Sequence, residues 1–146
     1  MEKIINNGDR VRESSKLKAN VNIDQKTFEN VKHYFNLSEK VITQRIQELD
    51  REWDIERVLG INMSTLALTG LVLSIKDRKW LAMPTIVLGF FAQHSIQGWC
   101  PPLPVLRFLK FRTRKEIDQE KHALKVLRGD YSDIHTAEEA YEAVKK

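Results

Sequence analysis

The chain has 146 residues, enough for one domain, with 30% charged and 42% hydrophobic residues, a net charge of +4 and a mean hydropathy of −0.42. Its single cysteine excludes an internal disulfide framework and any zinc site built from several cysteines. The average is that of a soluble protein, but nearly all of the charge lies in residues 1–57 and 100–146, and the stretch between them is strongly apolar.

The N-terminal region, residues 1–35, is predicted to be polar and partly disordered. Residues 1–22 show no hydrophobic period and are predicted to be disordered, and residues 1–16 lack the apolar core of a cleavable signal peptide. Residues 23–35 predict a short helix with its apolar residues on one side. Any membrane insertion would therefore be directed by internal segments.

Residues 36–57 predict one amphipathic helix that leads into the apolar stretch. Asn36 and Glu39 have the spacing of a capping box. One face carries a stripe of apolar residues, Ile42, Ile46, Leu49 and Trp53. The stripe over residues 42–53 fits either a short coiled coil between protomers or a helix lying on a bilayer or on the rest of the chain. The second interpretation is favoured because only two heptads are present.

Two apolar segments follow and predict an all-α fold containing a two-helix membrane hairpin, residues 58–99, with amphipathic helical flanks on the cytoplasmic side. Residues 58–75 contain no charge, and residues 80–99 contain one titratable side chain, His94. About 20 apolar residues cross a hydrocarbon core of about 30 Å. The loop 76–79 is short enough to require an antiparallel hairpin. The alternative is a soluble helical domain in which both segments form the core.

The tryptophans and the basic residues favour the membrane interpretation. All three tryptophans, Trp53, Trp80 and Trp99, stand at segment edges, where interfacial rings are typically found. A basic tract with interspersed aromatic residues follows the second segment, and it predicts headgroup contact rather than nucleic-acid binding. Its predicted membrane anchors are Arg107, Lys110 and Arg112.

The distribution of basic residues predicts that both termini are cytoplasmic. The loop 76–79 holds three basic residues, against about nine in the outer flanks. The expected partners are the lipid bilayer, a second copy of the chain bound through the membrane helices or residues 42–53, and an unidentified protein. Small residues four apart in the spans, such as Gly60 and Ser64, would permit close helix approach.

Four polar residues lie inside the predicted spans, namely Asn62, Gln93, His94 and Gln97. Polar groups in a membrane are costly unless paired, so they form a candidate functional cluster. The favoured interpretation is that they hydrogen-bond across the hairpin or lie near the interface. The four histidines of the chain show no metal-binding spacing, and no catalytic or cofactor-binding motif is present, so neither an enzyme, a cofactor nor a metal is predicted.

Cys100 lies at the predicted membrane edge and is a candidate reactive thiol. Reactive thiols are exposed and lie in electropositive surroundings, which the nearby Arg107 would provide. The favoured interpretation is an unreactive residue at the end of the span.

The C-terminal region, residues 100–146, is predicted to be a cytoplasmic tail with a basic interfacial segment and two short helices. Its prolines at 101, 102 and 104 interrupt the second span. Capping-box patterns at 113–116 and 136–139 predict the two helix starts.

The sequence "WDIERVLG" at 53–60, two spans and "GWCP" at 98–101 resemble the YgaP-like inner-membrane domain family. The resemblance covers residues 50–112 and implies a hairpin of the bacterial inner membrane, a family in which the hairpin occurs alone or fused to a rhodanese domain. The matching positions are 55–57, Gly98, Cys100 and Pro101. No rhodanese domain or active-site loop is present, and the "QHSIQ" and "PPLP" sequences depart from the family pattern.

The predicted function is that of a small inner-membrane protein serving as a structural or interaction module. The alternatives are a thiol- or sulfur-handling accessory protein that uses Cys100, and a soluble helical interaction domain.

Overall fold

The computed structural model describes residues 8–132 and 134–145. Over these residues the protein is helical, with 76% helix and no strand, which confirms the all-α prediction. The helices are α1 (Arg10–Glu13), α2 (Leu17–Tyr34), α3 (Glu39–Arg51), α4 (Ile55–Ser74), a 3₁₀ helix (Arg78–Leu81), α5 (Ala82–Gln97), α6 (Leu103–Phe108), α7 (Arg114–Arg128) and α8 (Ala137–Lys145).

The described residues divide into two compact units. Unit 1 contains the residues up to Ile23 together with Trp53–Arg114. Unit 2 contains Asp24–Glu52 together with the residues from Lys115 onward. The predicted apolar segments lie entirely in unit 1.

In unit 1, α4 and α5 pack against each other as an antiparallel hairpin. Glu56 meets His94 at one end of the pair. At the other end, a Cβ on Gly70 would lie 2.6 Å from Pro84, so the missing side chain permits a close approach next to the turn. The buried apolar cluster lies toward the Glu56 end and consists of Val11, Ile55, Leu59, Met63, Cys100, Leu103 and Leu106.

The predicted single helix over residues 36–57 is interrupted after Arg51. α3 begins after Ser38, which replaces Asn36 as the N-cap, and α4 begins after Asp54. The Asp54 carboxylate accepts a hydrogen bond from the backbone N–H of Arg57 at 2.8 Å. The N–H of Ile55 donates to the carbonyl of Arg112 at 3.0 Å. The break is stable because a side chain and a distant segment satisfy these first-turn donors of α4.

The prediction of disorder over residues 1–22 is wrong for residues 10–13 and 17–22, which are helical in α1 and α2, and residues 1–7 lie outside the described residues. Asp9 caps α1 by accepting from the N–H groups of Val11 and Arg12, at 3.1 and 3.2 Å. Its second carboxylate oxygen accepts from the Thr113 hydroxyl at 2.5 Å. A hydrophobic period does not reveal this segment because polar contacts far apart in sequence hold it.

In unit 2, the predicted stripe on α3 is covered by the same chain. Ile42, Ile46 and Leu49 pack against Ile117 and Leu124 of α7 in one buried cluster. These three side chains are therefore not available for the coiled coil between protomers that was one interpretation of residues 42–53. The helix instead lies on the rest of the chain, which was the favoured interpretation.

The capping box predicted at 136–139 is confirmed. The N–H of Glu139 donates to the Thr136 hydroxyl at 3.2 Å, and the N–H of Thr136 donates to the Glu139 carboxylate at 3.0 Å. Hydrogen bonds from the backbone N–H groups of His135 and Thr136 lower the pKa of Glu139. At the 113–116 pattern, the Thr113 hydroxyl donates to Asp9.

Candidate functional site

The outer surface of α4 and α5 is apolar and uncovered. Large apolar side chains are exposed along both helices, namely Ile61, Leu66, Leu68, Leu71, Val72, Ile86, Leu88, Phe90 and Ile96. Large exposed apolar surfaces mark sites of interaction with lipid, ligand or protein. The surface formed by these nine residues is called the apolar band.

Among the described residues, one stretch, Glu39–Ser74, which runs through α3 and α4, is long and apolar enough to cross a membrane by length and composition. Only 22% of its most apolar window is buried, whereas the core helix of a soluble protein is mostly buried. α5 alone is shorter, with 16 residues.

Several hydroxyl groups on the hairpin donate to the backbone of their own helices. Thr69 donates to the carbonyl of Thr65 at 2.7 Å, and Thr85 donates to that of Leu81 at 2.8 Å. Ser95 donates to the carbonyl of Phe91 at 3.0 Å. These hydroxyls therefore do not depend on water for a hydrogen-bond acceptor.

The buried polar contact of the hairpin joins His94 to Glu56. The Nε2 atom of His94 lies 3.2 Å from a carboxylate oxygen of Glu56, and its Nδ1 atom is buried and makes no hydrogen bond. His94 is only 1% exposed, whereas about half of the Glu56 side chain is exposed. The pair links the first turn of α4 to the last turn of α5.

The predicted polar cluster is only partly assembled. The side-chain amide of Gln93 donates to that of Gln97 at 3.5 Å along α5, and Asn62 is exposed on α4. None of the three bonds to His94, whose partner is Glu56. The sequence marks Glu56 only as an acidic residue in the first turn of α4, so its pairing was not anticipated. The described residues contain no group of three or more His, Cys, Asp or Glu side chains that could hold a metal ion.

Cys100 is fully buried in the apolar cluster of unit 1. Burial raises the pKa of its thiol, and the negative charge of Glu56 acts in the same direction. Reactive cysteines have the opposite environment, being exposed and electropositive. The geometry therefore makes Cys100 a packing residue.

Gly98 explains the sharp end of α5. Its φ is +74°, and a Cβ at this position would overlap the backbone of Arg10 in α1. The Arg10 guanidinium donates to the carbonyl of Ser95, and the Ser14 hydroxyl donates to that of Gln97 at 2.8 Å. Because the last carbonyls of a helix lack internal partners and attract cations, α1 acts as a cap on α5. The "GWCP" sequence is thus a packing junction.

The predicted membrane anchors divide into exposed and buried residues. Trp53, Trp80 and Trp99 are all exposed, and the Arg57 guanidinium lies 4.6 Å from the centre of the Trp53 ring. Arg107 and Arg112 are buried instead, which leaves Lys110 as the exposed member of the three basic anchors.

Arg107 is buried because polar groups of the same chain bind its guanidinium. Its guanidinium donates to the Asn20 side chain at 2.6 Å and to the carbonyl of Phe111 at 3.3 Å. These polar partners lie far away in sequence or on an irregular turn, so the basic tract gave no indication that Arg107 would be held inside the fold.

A groove of about 500 Å³ opens beside Trp99, between the end of α1, the start of α2 and α6. It is called the basic groove. Its lining residues are Ser14, Ser15, Lys16, Lys18, Ala19, Asn22, Trp99, Leu103, Pro104, Arg107, Phe108 and Lys110. All of them belong to unit 1.

No family model, no curated protein and no solved structure matches this chain. The resemblance to the YgaP-like family therefore stays a prediction. The function of the protein is inferred from its own residues and their arrangement.

Proposed function

We propose that the protein is a small integral protein of the bacterial inner membrane, anchored by a two-span hairpin, and that it serves as a structural or interaction module. The apolar band carries this proposal. In water, a band of this kind would expose large side chains such as Leu68 and Val72, whose relative exposures are 62% and 66%. Surrounding lipid removes that cost because the hydrocarbon is as apolar as the side chains.

The lengths of the two arms support a bilayer crossing. α4 has 20 residues, which gives about 30 Å at the α-helical rise. α5 gives about 24 Å, and Trp80 and Leu81 of the 3₁₀ helix before it add about 4 Å. Each arm therefore matches a hydrocarbon core of about 30 Å.

The polar groups on the arms support the same environment. Hydroxyls that bond to their own helix can enter lipid at small cost, whereas an unsatisfied polar group in hydrocarbon costs several kcal/mol. The His94–Glu56 pair lies at the same end of the hairpin as Trp53 and Trp99, where water and headgroups reach a half-exposed carboxylate. The charge distribution favours cytoplasmic termini.

Two features support an interaction role. Gly60 and Gly89 have open space where a Cβ would stand, so they do not serve packing within the hairpin. A second copy of the chain could approach closely at these positions, as small residues allow in membranes. Unit 2 adds a separate helical body whose exposed faces are available to a protein partner.

Carbonate extraction of membranes from expressing cells tests the proposal. We expect the wild type to stay in the membrane pellet, and its full release into the supernatant would overturn the two-span anchor. The double variant Leu68→Arg/Val72→Arg should lose stable insertion, because an arginine within a span, as at position 68, costs about 3 kcal/mol near the helix centre. The matched control is Val126→Arg/Val144→Arg in unit 2, where exposures are 62% and 61%. The control should remain in the pellet.

Reporter fusions test the orientation. A reporter active only in the cytoplasm should work at the C-terminus, and one active only in the periplasm should work in the loop 76–79. The reverse pattern would contradict cytoplasmic termini while leaving the anchor itself intact.

A further inference from the structure

We propose that the basic groove is a binding site for one anionic glycerophospholipid. The lipid phosphate would contact Lys16, Lys18 and Lys110, and an acyl chain would lie along Trp99 and Phe108. This inference rests on the proposed function, since a membrane hairpin brings the end of α5 to the headgroup level.

The charge of the groove selects an anion. Four of its twelve lining residues are cationic, and none is a carboxylate. The whole chain has 24 basic and 20 acidic residues, so its overall composition is close to balanced. A concave surface lined by one sign of charge concentrates the opposite charge. Cations near a membrane surface attract anionic lipids.

The rest of the lining selects an amphiphile over a free anion. Phe108 is 83% exposed, Trp99 is partly exposed, and the exposed Pro104 completes the accessible apolar part of the groove. An inorganic phosphate would leave these side chains in water. A lipid covers them with an acyl chain while its headgroup meets the lysines, so both parts of the lining gain a partner.

The backbone of the groove is preorganised. Lys110 has a φ of +65° and is the left-handed residue that follows the end of α6. The Lys110 N–H donates to the Arg107 carbonyl and the Phe111 N–H donates to the Leu106 carbonyl, both at 3.1 Å. These two bonds form a Schellman motif, which fixes the backbone that carries the Lys110 side chain. Arg107 is also fixed, by Asn20 and by the carbonyl of Phe111.

The size of the groove limits what enters it. A volume of about 500 Å³ lies within the range of small-ligand pockets, about 300–1,000 Å³. It accommodates a headgroup and the first part of the acyl chains. The remainder of the lipid would extend along the exposed side chains of the hairpin.

A titration in neutral detergent tests the site with the full chain. The double variant Trp53→Phe/Trp80→Phe leaves Trp99, which lines the groove, as the only tryptophan. We expect saturable changes in its fluorescence with short-chain phosphatidylglycerol, and at least tenfold weaker binding of phosphatidylcholine with identical acyl chains. Native mass spectrometry of the wild-type chain gives the same comparison without substitutions.

Charge variants locate the binding. The exposed lysines are replaced in Lys16→Gln/Lys18→Gln/Lys110→Gln, and the control removes three charges elsewhere, in Lys76→Gln/Arg78→Gln/Lys79→Gln. We expect the first variant to bind phosphatidylglycerol at least tenfold more weakly and the control to bind like the wild type. Added salt should weaken wild-type binding.

Three results would overturn the site: equal affinity for both lipids, equal loss in both charge variants, or displacement of the lipid by inorganic phosphate at comparable concentration. Because the lipid is dispersed in detergent, the titration does not require membrane insertion. If the chain stays in the membrane pellet after carbonate extraction but shows no lipid preference, the proposed function stands and the lipid site is overturned. If carbonate releases the chain but the chain still prefers the anionic lipid, only the proposed function is overturned.

Discussion

In unit 2 the buried apolar side chains of α3 and α7 face each other and the outer faces are mostly polar, whereas in unit 1 the helices α4 and α5 carry many apolar side chains on their outer faces as well. A helix with one apolar stripe is complete once that stripe meets a partner. A helix that is apolar on every side still needs an apolar environment after its partner has packed against it. The contrast shows that the contact between α4 and α5 leaves much of their apolar surface exposed.

The two units also differ in the buried polar side chains of their helix pairs. In unit 2, Glu120 is fully buried and accepts hydrogen bonds from Arg45 at 2.9 and 3.1 Å and from Asn30 at 3.2 Å. In unit 1, His94 has one partner, Glu56, and leaves a ring nitrogen unpaired. Removal of Glu120 therefore breaks more hydrogen bonds than removal of His94 does.

Intrinsic reporters separate the units experimentally. All three tryptophans belong to unit 1, and all three tyrosines, Tyr34, Tyr131 and Tyr141, belong to unit 2. Tryptophan fluorescence follows unit 1, and hydrogen–deuterium exchange resolves the segments of both.

The largest decrease in the free energy of unfolding is expected for Glu120→Ala. Removing this carboxylate leaves the guanidinium of Arg45 without its main partner, and breaking a buried ion pair costs about 3 kcal/mol. Denaturant unfolding followed by hydrogen–deuterium exchange of α3 and α7 should show that loss. The matched control is Glu48→Ala, which removes a half-exposed partner of the same arginine and should cost below about 0.5 kcal/mol. Equal losses in the two variants would show that Glu120 is not the centre of unit 2.

A smaller effect, about 2 kcal/mol, is expected for Gly98→Ala in unit 1. The added Cβ requires a left-handed conformation and overlaps the backbone of Arg10. Gly89→Ala is the control in the same helix, because Gly89 has open space around it and alanine favours helices. Tryptophan fluorescence during unfolding in mild detergent measures both. If the control were the more destabilised, the junction between α1 and α5 would not secure the end of the hairpin.

The smallest effect is expected at Cys100, where serine places a hydroxyl in an apolar cluster at a cost of about 1 kcal/mol. The raised pKa of the thiol gives this group a pH dependence of defined sign. The folded chain holds the thiol proton more tightly than the unfolded chain does. The stabilisation is therefore present below about pH 8.5, the pKa of a free thiol, and is lost as the pH rises beyond it.

Alkylation measures the thiol directly. In the folded protein at pH 7.5, Cys100 should react with iodoacetamide far more slowly than in denaturant, and the folded rate should rise only at higher pH. Fast reaction of the folded chain would restore the hypothesis of a thiol-handling protein.

Local patterns of the sequence predicted a good part of the fold. The helical class, the two apolar segments and the start of α8 follow from periodicity, apolar length and a capping box, which are properties of neighbouring residues. The apolar stripe on α3 was also visible, but its partner on α7 lies about 75 residues later. An apolar stripe indicates that another element packs against the helix, but it does not identify that element.

The candidate site was predicted less well. The basic tract suggested exposed anchors, yet Arg107 turns inward to Asn20, and the groove takes Lys16 and Lys18 from a region predicted to be disordered. Glu56 paired with His94 across the hairpin without any motif to indicate it. Each of these contacts joins residues more than 35 positions apart, and no spacing rule reaches that far.

The sequence by itself determined that the protein is helical and that its middle third is apolar on all sides, because helix preference and hydrophobic content are carried by each residue and its near neighbours. Only the tertiary structure decided that Cys100 is buried and that Gly98 contacts α1. It also brought four basic residues and two aromatic side chains, Trp99 and Phe108, into one groove. Those outcomes depend on which distant segments come together. That choice is made by the packing of the whole unit and not by any stretch of the chain alone.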